Sequence, residues 1–360
     1  MRREDLGLKR LSLVAVVVAI ASSTGAVGHA GADTSPTIEQ MAGQLVLARM
    51  QGQVPSAAFL DRIRTGQIGG VVLFNTNFSP AGPASLVATL QAAASAGQQP
   101  PLLIAVDQEG GIVKRLPGAP SLAPPQMRTA SIAEAQGTAT ARNLLANGIN
   151  TDLAPVLDVG HGGFITPRTF GSTPDTVATR GAAFADGLDR GRVLAAAKHF
   201  PGLGYATLNT DQTVAKVTAG VRQLKTDWAP FTAAIQNGIP LVMMSTAVYP
   251  ALGSNLPAAL SPKIVNDLRR LGFAGAIVTD ALQTPGVNGL MTTSKAAVRA
   301  VQAGDDLVLA AGGTDSYRDT DGASIGAYNA VVAAAKAGTL RPQTLKVAYA
   351  TVLAVKKGLG

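Results

Sequence analysis

Short apolar runs that alternate with stretches of helical periodicity constrain the fold of this chain more than any other feature. The runs are rich in β-branched residues, which is typical of strands buried on both faces of a parallel α/β sheet. We expect eight strands, at residues 45–48, 71–74, 102–107, 152–158, 194–200, 241–245, 276–280 and 307–311. Eight strand-then-helix units predict an α/β fold with a single (β/α)8 barrel of the TIM type. A doubly wound open sheet is the alternative, because periodicity does not show whether a sheet closes.

The segments between the strands have helical spacing, most clearly at residues 138–145, 176–188 and 262–271. No low-complexity linker and no repeat of about 20 to 50 residues divides the chain. One domain is therefore the simpler expectation. The connection 201–219 is long and lacks a clear apolar period, which makes it the best candidate for a functional loop.

The first 32 residues have the organisation of a secretory signal peptide. Basic side chains precede the apolar stretch 11–20, and Ala30-Gly31-Ala32 forms an A-x-A-type cleavage site. The apolar stretch is shorter than the roughly 20 residues that a membrane-spanning helix needs. We therefore expect residues 1–32 to be removed on export, and residues 33–360 to form the barrel domain of a secreted protein.

Cysteine is absent from the chain, which excludes disulfides, thiol chemistry and a lipid anchor on a cysteine. The formal net charge is +8, and removal of the leader's four basic and two acidic residues lowers it by two. The remaining excess favours approach to anionic cell-wall polymers by long-range steering. No basic run is interleaved with aromatic residues, so we predict no nucleic-acid partner.

Asp280 is a lone carboxylate at the end of a β-branched apolar run. Barrel enzymes keep their chemistry at the C-terminal ends of the strands, which is where this residue would lie. An Asp at such a position also suits the N-cap of the next helix. Its interpretation therefore depends on the residues at the ends of the other strands.

Ionisable residues stand after several of the predicted strands. These are Asp107, Glu109 and Arg115 after the third strand, Asp158 and Arg168 after the fourth, Lys198 and His199 at the fifth, and Asp280 after the seventh. A folded domain rarely gathers so many ionisable groups without a polar ligand, because unpaired and desolvated charge is costly. The sequence therefore predicts a polar ligand site at the barrel mouth.

Six segments of the chain resemble the signature blocks of family 3 glycoside hydrolases. They are residues 69–75, 102–116, 150–159, 168–171, 198–204 and 260–282. The closest similarity is to the bacterial β-N-acetylhexosaminidase branch, which acts on glycans that contain N-acetylglucosamine. The blocks occur in family order and extend over nearly all of the chain after the leader. The resemblance implies a barrel and a retaining mechanism through a glycosyl-enzyme intermediate, with no metal and no cofactor.

The resemblance also implies roles for individual residues. Asp280 matches the nucleophile, and a carboxylate suits that role because it can attack an oxocarbenium-like carbon and later leave. Asp107 matches the residue that holds the sugar hydroxyls, since a carboxylate accepts two hydrogen bonds there. The remaining sugar-binding positions of the family are matched by Arg115, Arg168, Lys198 and His199.

Three further residues receive structural interpretations or none. We expect Asp158 to orient Arg168 or to cap its loop rather than to touch sugar. Glu109 is interpreted as structural. His161 lies in a glycine-rich loop and matches no family function, so we do not expect it to line the cleft.

The loop that begins at Pro201 departs from the family. In this branch it resembles P-G-H-G-D-T-x-x-D-S-H, in which the final His is the acid/base and the Asp two residues earlier orients it. Here it reads PGLGYATLNTD, so Asn209 stands at the Asp position and Asp211 at the position of the final His. Leu203 and Tyr205 replace another His and Asp.

Proton transfer is therefore open to three hypotheses. Asp211 acts as the acid/base itself, as carboxylic acids do in most glycosidases, provided that burial or the charge of Asp280 raises its pKa. In the second hypothesis another carboxylate, such as Asp227 or Asp315, takes the role from a mobile loop. In the third, catalysis is lost and the protein binds glycan without cleaving it. The retained Asp280 favours activity, because a binding module needs no carboxylate under the anomeric carbon.

These features together predict a secreted, monomeric, retaining glycosidase of the exo type. We expect it to remove β-linked N-acetylglucosamine from peptidoglycan fragments or chitin-type oligosaccharides. A β-glucosidase is the alternative within the enzymes. A catalytically weakened glycan-binding protein of the cell envelope is the alternative from another class.

Overall fold

The structure is a computed structural model that describes residues 35–312 and 321–359. The predicted leader, 1–32, lies outside the described residues, and so does Asp315. Over the part that is described, no helix is both long enough and apolar enough to cross a membrane.

Eight parallel strands form one sheet, and they neighbour each other in chain order. They are β1 (Val46–Arg49), β2 (Gly70–Val72), β3 (Leu103–Val106), β4 (Thr151–Asp152), β5 (Leu194–Phe200), β6 (Leu241–Met244), β7 (Ala276–Thr279) and β8 (Val308–Ala310). β8 pairs with β1 at one edge, and an isolated parallel bridge from Val278 to Leu307 joins β7 to the β8 segment. This arrangement confirms the predicted (β/α)8 barrel over the open doubly wound sheet.

One helix precedes β1 and the others follow the strands along the chain. They are α1 (Ile38–Gln44), α2 (Ala57–Arg64), α3 (Ala84–Ala96), α4 (Ala130–Leu145), α5 (Pro174–Arg190), α6 (Val221–Thr226), α7 (Ala229–Gln236), α8 (Pro262–Arg270), α9 (Pro285–Asn288), α10 (Thr293–Ala303), α11 (Asp321–Lys336) and α12 (Pro342–Lys356). Several begin where the sequence supplies a hydroxyl cap: Ser56, Thr129 and Thr173 each accept a hydrogen bond from a backbone N–H in the first turn. The cap at Thr129 explains why α4 begins well before residue 138.

The fourth strand is shorter than predicted. Residues 152–158 were expected to form one strand, but regular pairing stops after Asp152. Pro155 has no N–H to donate, which interrupts the ladder. Backbone hydrogen bonds to β5 nevertheless continue. The N–H groups of Ala196 and Lys198 donate to the carbonyl oxygens of Ala154 and Pro155 at 2.9 and 3.0 Å, and the N–H of Leu157 donates to the Lys198 carbonyl oxygen at 2.6 Å. The segment therefore still runs along β5 and delivers Asp158 to the barrel mouth.

Apolar side chains from alternate strand positions fill the barrel interior, as expected for strands whose side chains alternate between two faces. Examples are Leu47, Leu103, Met243 and Val278. Val352 of α12 packs into the same cluster, and the ammonium of Lys356 donates to the Gln44 side chain and to the Gly69 carbonyl, each at 2.6 Å. Because those two acceptors precede β1 and β2, α12 covers the N-terminal end of the barrel. The opposite end is left for a site.

Candidate active site

A pocket opens at the carboxyl ends of the barrel strands. It holds about 630 Å³ of empty space, its open mouth included, which is within the usual range for small-molecule sites. The ionisable side chains that line it are Asp107, Arg115, Arg168, Lys198, His199, Asp211 and Asp280. The structure thus brings all seven residues that the sequence predicted for the site into one pocket.

Asp280 occupies a rigid position on the rim of the sheet. It directly follows β7, and its backbone N–H donates to the Met244 carbonyl of neighbouring β6 at 2.9 Å. The carboxylate oxygen Oδ1 accepts the N–H of Ala281 at 2.7 Å. The next helix begins at Pro285 and has Thr284 as its N-cap. Asp280 is therefore not a helix cap, and its carboxylate faces the pocket from the end of a buried strand.

A buried network of two carboxylates and two cations forms one wall of the pocket. Lys198 lies between the carboxylates, with Nζ 2.7 Å from Asp107 Oδ1 and 2.6 Å from Glu109 Oε1. Arg168 grips Glu109 with two parallel hydrogen bonds, from Nε at 2.8 Å and from a terminal nitrogen at 2.7 Å. Such a forked pair fixes the plane of the guanidinium group. Glu109 is 2 % exposed and does not line the pocket, in agreement with its structural interpretation.

These opposite charges keep both carboxylates ionised. Burial alone would raise the pKa of Asp107, but Lys198 and Arg115 hold it well below its usual range. Burial opposes ionisation of Glu109 as well, and Arg168 and Lys198 lower its pKa. The same contacts raise the pKa of Lys198 against the effect of burial. The pocket therefore presents Asp107 as an acceptor beside fixed cationic donors.

Asp158 positions His199 rather than Arg168. Its Oδ2 lies 2.7 Å from His199 Nδ1, and its Oδ1 accepts the backbone N–H of Leu203 at 2.6 Å. The expectation that Asp158 orients Arg168 was wrong, because Glu109 holds that guanidinium instead. The alternative, that Asp158 caps its own loop, was wrong too, because its Oδ1 accepts backbone N–H groups of His199 and Leu203, at the start of the loop that follows β5. A carboxylate at Nδ1 leaves His199 Nε2 as the ring nitrogen available to a ligand.

Asp211 reaches the pocket from the connection 201–219. Its backbone N–H donates to Asn209 Oδ1 at 2.9 Å, and the carbonyl of Thr210 accepts the N–H of Gly286 at 3.1 Å. Burial, and next the charge of Asp280, raise the pKa of Asp211 to about 6, although Arg168 and His199 act in the opposite direction. This carboxyl group therefore meets the condition on its pKa that an acid/base role requires.

The second candidate for proton transfer lies elsewhere. Asp227 is absent from the pocket lining, and its Oδ2 is 2.8 Å from His161 Nε2. The His161 ring stacks on Tyr205 with centroids 3.8 Å apart and does not line the pocket either. This position disfavours Asp227 as the proton donor. Asp315 lies outside the described residues.

Phe74 is a pocket residue that sequence reasoning missed. It follows β2, is 2 % exposed and lines the pocket. The guanidinium carbon of Arg115 lies 5.3 Å from its ring centroid, and that of Arg49 lies 4.0 Å from it. The ring thus orients Arg115 by a cation–π contact. An aromatic residue at the end of a predicted strand was the available signal.

No group of three or more histidine and carboxylate side chains within residues 35–312 and 321–359 is arranged to hold a metal ion. The side chains of the pocket supply three kinds of chemical group. The pocket contains one carboxylate on a rigid strand end, a second carboxyl group with a raised pKa, and a set of fixed polar contacts for a ligand rich in hydroxyls.

Residues 37–355 match the model of the Glycosyl hydrolase family 3 N terminal domain. A protein of Arthroderma benhamiae that is named an uncharacterized secreted glycosyl hydrolase is 38 % identical over 314 residues, which are 83 % of this chain and 87 % of the relative.

Two solved structures share the fold. A glycoside hydrolase family 3 β-N-acetylglucosaminidase from Paenibacillus sp. matches with a TM-score of 0.84 and 32 % identity, over 90 % of this chain and 63 % of that chain. A β-N-acetylhexosaminidase from Beutenbergia cavernae matches with a TM-score of 0.79 and 33 % identity, over 90 % of this chain and 100 % of that chain. The chain thus spans less than two thirds of the Paenibacillus protein.

The charge network predicts a pH-dependent loss of stability in Glu109→Gln. The substitution leaves Arg168 and Lys198 buried with one carboxylate, and removal of one member of such a group costs about 3 kcal/mol. The pKa of Glu109 is lowered in the folded state. Its contribution is therefore fully present above the unfolded pKa of about 4.3, and it is lost as the pH falls through the folded pKa.

Urea unfolding at pH 7 and at pH 3 measures this effect. The gap in the free energy of unfolding between wild type and Glu109→Gln should be large at pH 7 and smaller at pH 3. Asp61→Asn is the control, because Asp61 pairs with Arg64 in an exposed ion pair and should change little at either pH. Equal stability of Glu109→Gln and wild type at pH 7 would contradict the role assigned to the network.

Proposed function

We propose that this chain, which belongs to glycosyl hydrolase family 3, is a retaining exo-β-N-acetylglucosaminidase. One observation carries the proposal: two carboxyl groups in different environments share one pocket, Asp280 on a strand end and Asp211 on a loop. A pair of carboxyl groups is what retaining and inverting glycosidases both require, and the match of Asp280 to the family's nucleophile favours retention. The family membership classifies the chain as a glycoside hydrolase with a carbohydrate substrate.

The first step forms a glycosyl-enzyme on Asp280. Its ionised carboxylate attacks the anomeric carbon, and the bond from that carbon to the leaving-group oxygen breaks. Asp211, protonated at the start, gives its proton to that oxygen. Burial and the charge of Asp280 keep this proton on Asp211 up to a pH of about 6, through the raised pKa.

In the second step Asp211 acts as a base. Now ionised, it takes a proton from a water molecule whose oxygen attacks the anomeric carbon, and Asp280 leaves. Two displacements at one carbon return the original configuration. The negative charge of Asp211 repels phosphate by roughly 1 to 4 kcal/mol at close range, so water rather than phosphate is the acceptor.

The network of Asp107, Lys198 and Arg168 would hold the sugar ring. Ionised Asp107 accepts hydrogen bonds from ring hydroxyls, while Arg168 and Lys198 donate to others from positions that Glu109 fixes. Arg115 and His199 complete the set of contacts. Charge-assisted hydrogen bonds of this kind discriminate strongly against analogues that lack the hydroxyl, because the protein group is then left unpaired.

The substrate class rests on the relatives. The Paenibacillus and Beutenbergia proteins are named a β-N-acetylglucosaminidase and a β-N-acetylhexosaminidase. We propose peptidoglycan fragments or chitin-type oligosaccharides as the glycan, with the excess basic charge favouring approach to anionic cell-wall polymers. The Arthroderma relative is named as secreted, and this supports our proposal that the chain is exported. We also propose that the barrel works as a monomer.

A comparison of two chromogenic substrates tests the specificity. The β-N-acetylglucosaminide should be hydrolysed at least about 100-fold faster in kcat/KM than the β-glucoside, because the site would be built around the substituents of one sugar. NMR of the first sugar released should show the β anomer, as retention requires. A faster β-glucoside would indicate a β-glucosidase. Binding of N-acetylglucosamine oligomers without any turnover would indicate a glycan-binding protein.

Removal of the nucleophile should abolish turnover. Asp280→Ala should lower kcat/KM by about 1000-fold or more even for activated aryl glycosides, because no glycosyl-enzyme can form. A fluorosugar inactivator should label Asp280 in the wild type, as read by peptide mass spectrometry. The control Asp189→Ala changes an exposed carboxylate of α5 and should retain full activity. Label on another residue would remove Asp280 from this role.

Removal of Asp211 should affect substrates according to their leaving group. Asp211→Ala should slow substrates with poor leaving groups by about 100-fold or more, and aryl glycosides that need no proton much less. Azide should restore part of the second step, since a small anion needs no base. In the wild type, kcat/KM should decrease as the pH rises above about 6, because Asp211 then loses its proton. In Asp211→Ala this decrease of kcat/KM with rising pH should be absent.

The matched control for Asp211→Ala is Gln212→Ala. Gln212 is the exposed neighbour of Asp211 in the same loop and should tolerate the change. If Asp211→Ala slows all substrates equally and azide restores nothing, Asp211 does not transfer the proton.

A further inference from the structure

The loop that carries Asp211, residues 201–219 and here called the acid/base loop, is fastened to the barrel on two sides. Near its start, Asp158 accepts the N–H of Leu203 at 2.6 Å. Near its middle, the N–H of Gly286 donates to the Thr210 carbonyl at 3.1 Å, and a Cβ on Gly286 would lie only 2.6 Å from that oxygen. Gly286 belongs to α9, in the connection that begins after Asp280. The loops of the two carboxyl groups are thus joined directly.

A third contact holds the loop between these points. The ring of Tyr205 stacks on the ring of His161 with centroids 3.8 Å apart and planes 15° from parallel. His161 Nε2 is 2.8 Å from Asp227 Oδ2, and Asp227 is 4 % exposed. The imidazole of His161 therefore contacts a buried carboxylate through Nε2, and one face of its ring packs on the ring of Tyr205.

Around this stack, the backbone of the acid/base loop packs closely on the backbone of the loop after β4. A Cβ on Gly204 would lie 1.9 Å from the Val159 carbonyl oxygen and 2.9 Å from His161 Cδ2. A Cβ on Gly163 would lie 2.4 Å from the Ala206 carbonyl oxygen. The acid/base loop thus packs backbone against backbone on the loop after β4. Any side chain at either glycine would separate the two loops.

Electrostatics explain why Asp211 requires such anchors. When ionised, Asp211 is repelled by Asp280, and this repulsion contributes to its raised pKa. A free loop would relieve the repulsion by moving the carboxylate away from the anomeric carbon. A protonated histidine at that position would instead be attracted by Asp280. This chain has Asp where the family has His. The position of its acid/base loop therefore depends on contacts outside the pocket.

We propose that His161 is a positioning residue: held by Asp227, it clamps Tyr205 and thereby keeps Asp211 beside Asp280 for proton transfer. The proposal rests on the proposed role of Asp211 as acid and base. Neither His161 nor Tyr205 lines the pocket, so the clamp acts through the loop and not on the sugar.

Kinetics on substrates with different leaving groups test the clamp. Tyr205→Ala and His161→Ala should each lower kcat for poor leaving groups by on the order of 10- to 100-fold, since a misplacement of about 1 Å costs up to that much. Aryl glycosides that need no proton should lose much less, and KM should change little. The double variant should be no slower than either single variant, because both changes release the same contact.

Conservative variants separate the clamp from general damage to the fold. Tyr205→Phe keeps the ring and should retain nearly wild-type rates. Thr207→Ala alters an exposed residue of the same loop and should also leave the rates unchanged. Equal losses across leaving groups, or a Tyr205→Phe variant as slow as Tyr205→Ala, would overturn the proposal.

Hydrogen–deuterium exchange of peptides from residues 201–219 reads the loop independently of activity. Exchange should rise in Tyr205→Ala and His161→Ala, and it should stay at the wild-type level in Asp211→Ala and Thr207→Ala. Unchanged exchange together with wild-type kcat in the first two variants would refute the clamp. If exchange rises in them but Asp211→Ala shows no dependence on the leaving group, the clamp stands and the role of Asp211 fails.

Discussion

The contact of Lys198 with two carboxylates is the interaction on which the rest of the site depends. Its ammonium lies 2.7 Å from Asp107 and 2.6 Å from Glu109, and it is 1 % exposed. Without those anions a lysine so deeply buried would lose its proton, and without the lysine two buried carboxylates would repel each other. Glu109, held by Lys198, in turn holds Arg168. One network therefore fixes the hydrogen-bond acceptor Asp107 and the two donors, Lys198 and Arg168, in one wall of the pocket.

The barrel makes this network possible because it supplies the charges from different strands. Lys198 lies near the end of β5, while Asp107 and Glu109 come after β3, and the short β4 lies between these two strands. Parallel strands in a closed sheet direct their carboxyl ends to one rim, so residues far apart in sequence meet there. The apolar interior and α12 fill the space below. Asp107 and Lys198 are therefore accessible to a ligand only from the pocket at the rim.

The local patterns of the sequence predicted eight strand-then-helix units, and the resemblance to family 3 favoured their closure into a barrel, which periodicity alone does not show. The convergence of strand ends predicted a polar site at the rim, and the resemblance to family 3 implied which seven residues form it, Asp211 only through its place in the family loop. The sequence was not sufficient to predict the partners of individual side chains. Asp158 was assigned to Arg168 but contacts His199, because both lie in the same rim region and only packing decides between them. The early end of β4 at Asp152 has a local cause, Pro155, whose effect on the pairing depends on the neighbouring strand.

The stack of His161 on Tyr205 shows the same limit in the functional loop. Each residue alone carried no signal, as one lay in a glycine-rich loop and the other stood where the family has Asp. Their contact spans the loops after β4 and β5, and no periodicity connects those segments. Glycines at positions 163 and 204 allow the close approach, since a Cβ at either would meet a carbonyl oxygen.

Two departures from the family motif lie in the same loop. Asp211 stands where the family has His, and Tyr205 stands where the family has Asp. A carboxylate that its neighbour repels needs a loop that cannot withdraw, and an aromatic stack outside the pocket provides that restraint without adding charge to the site.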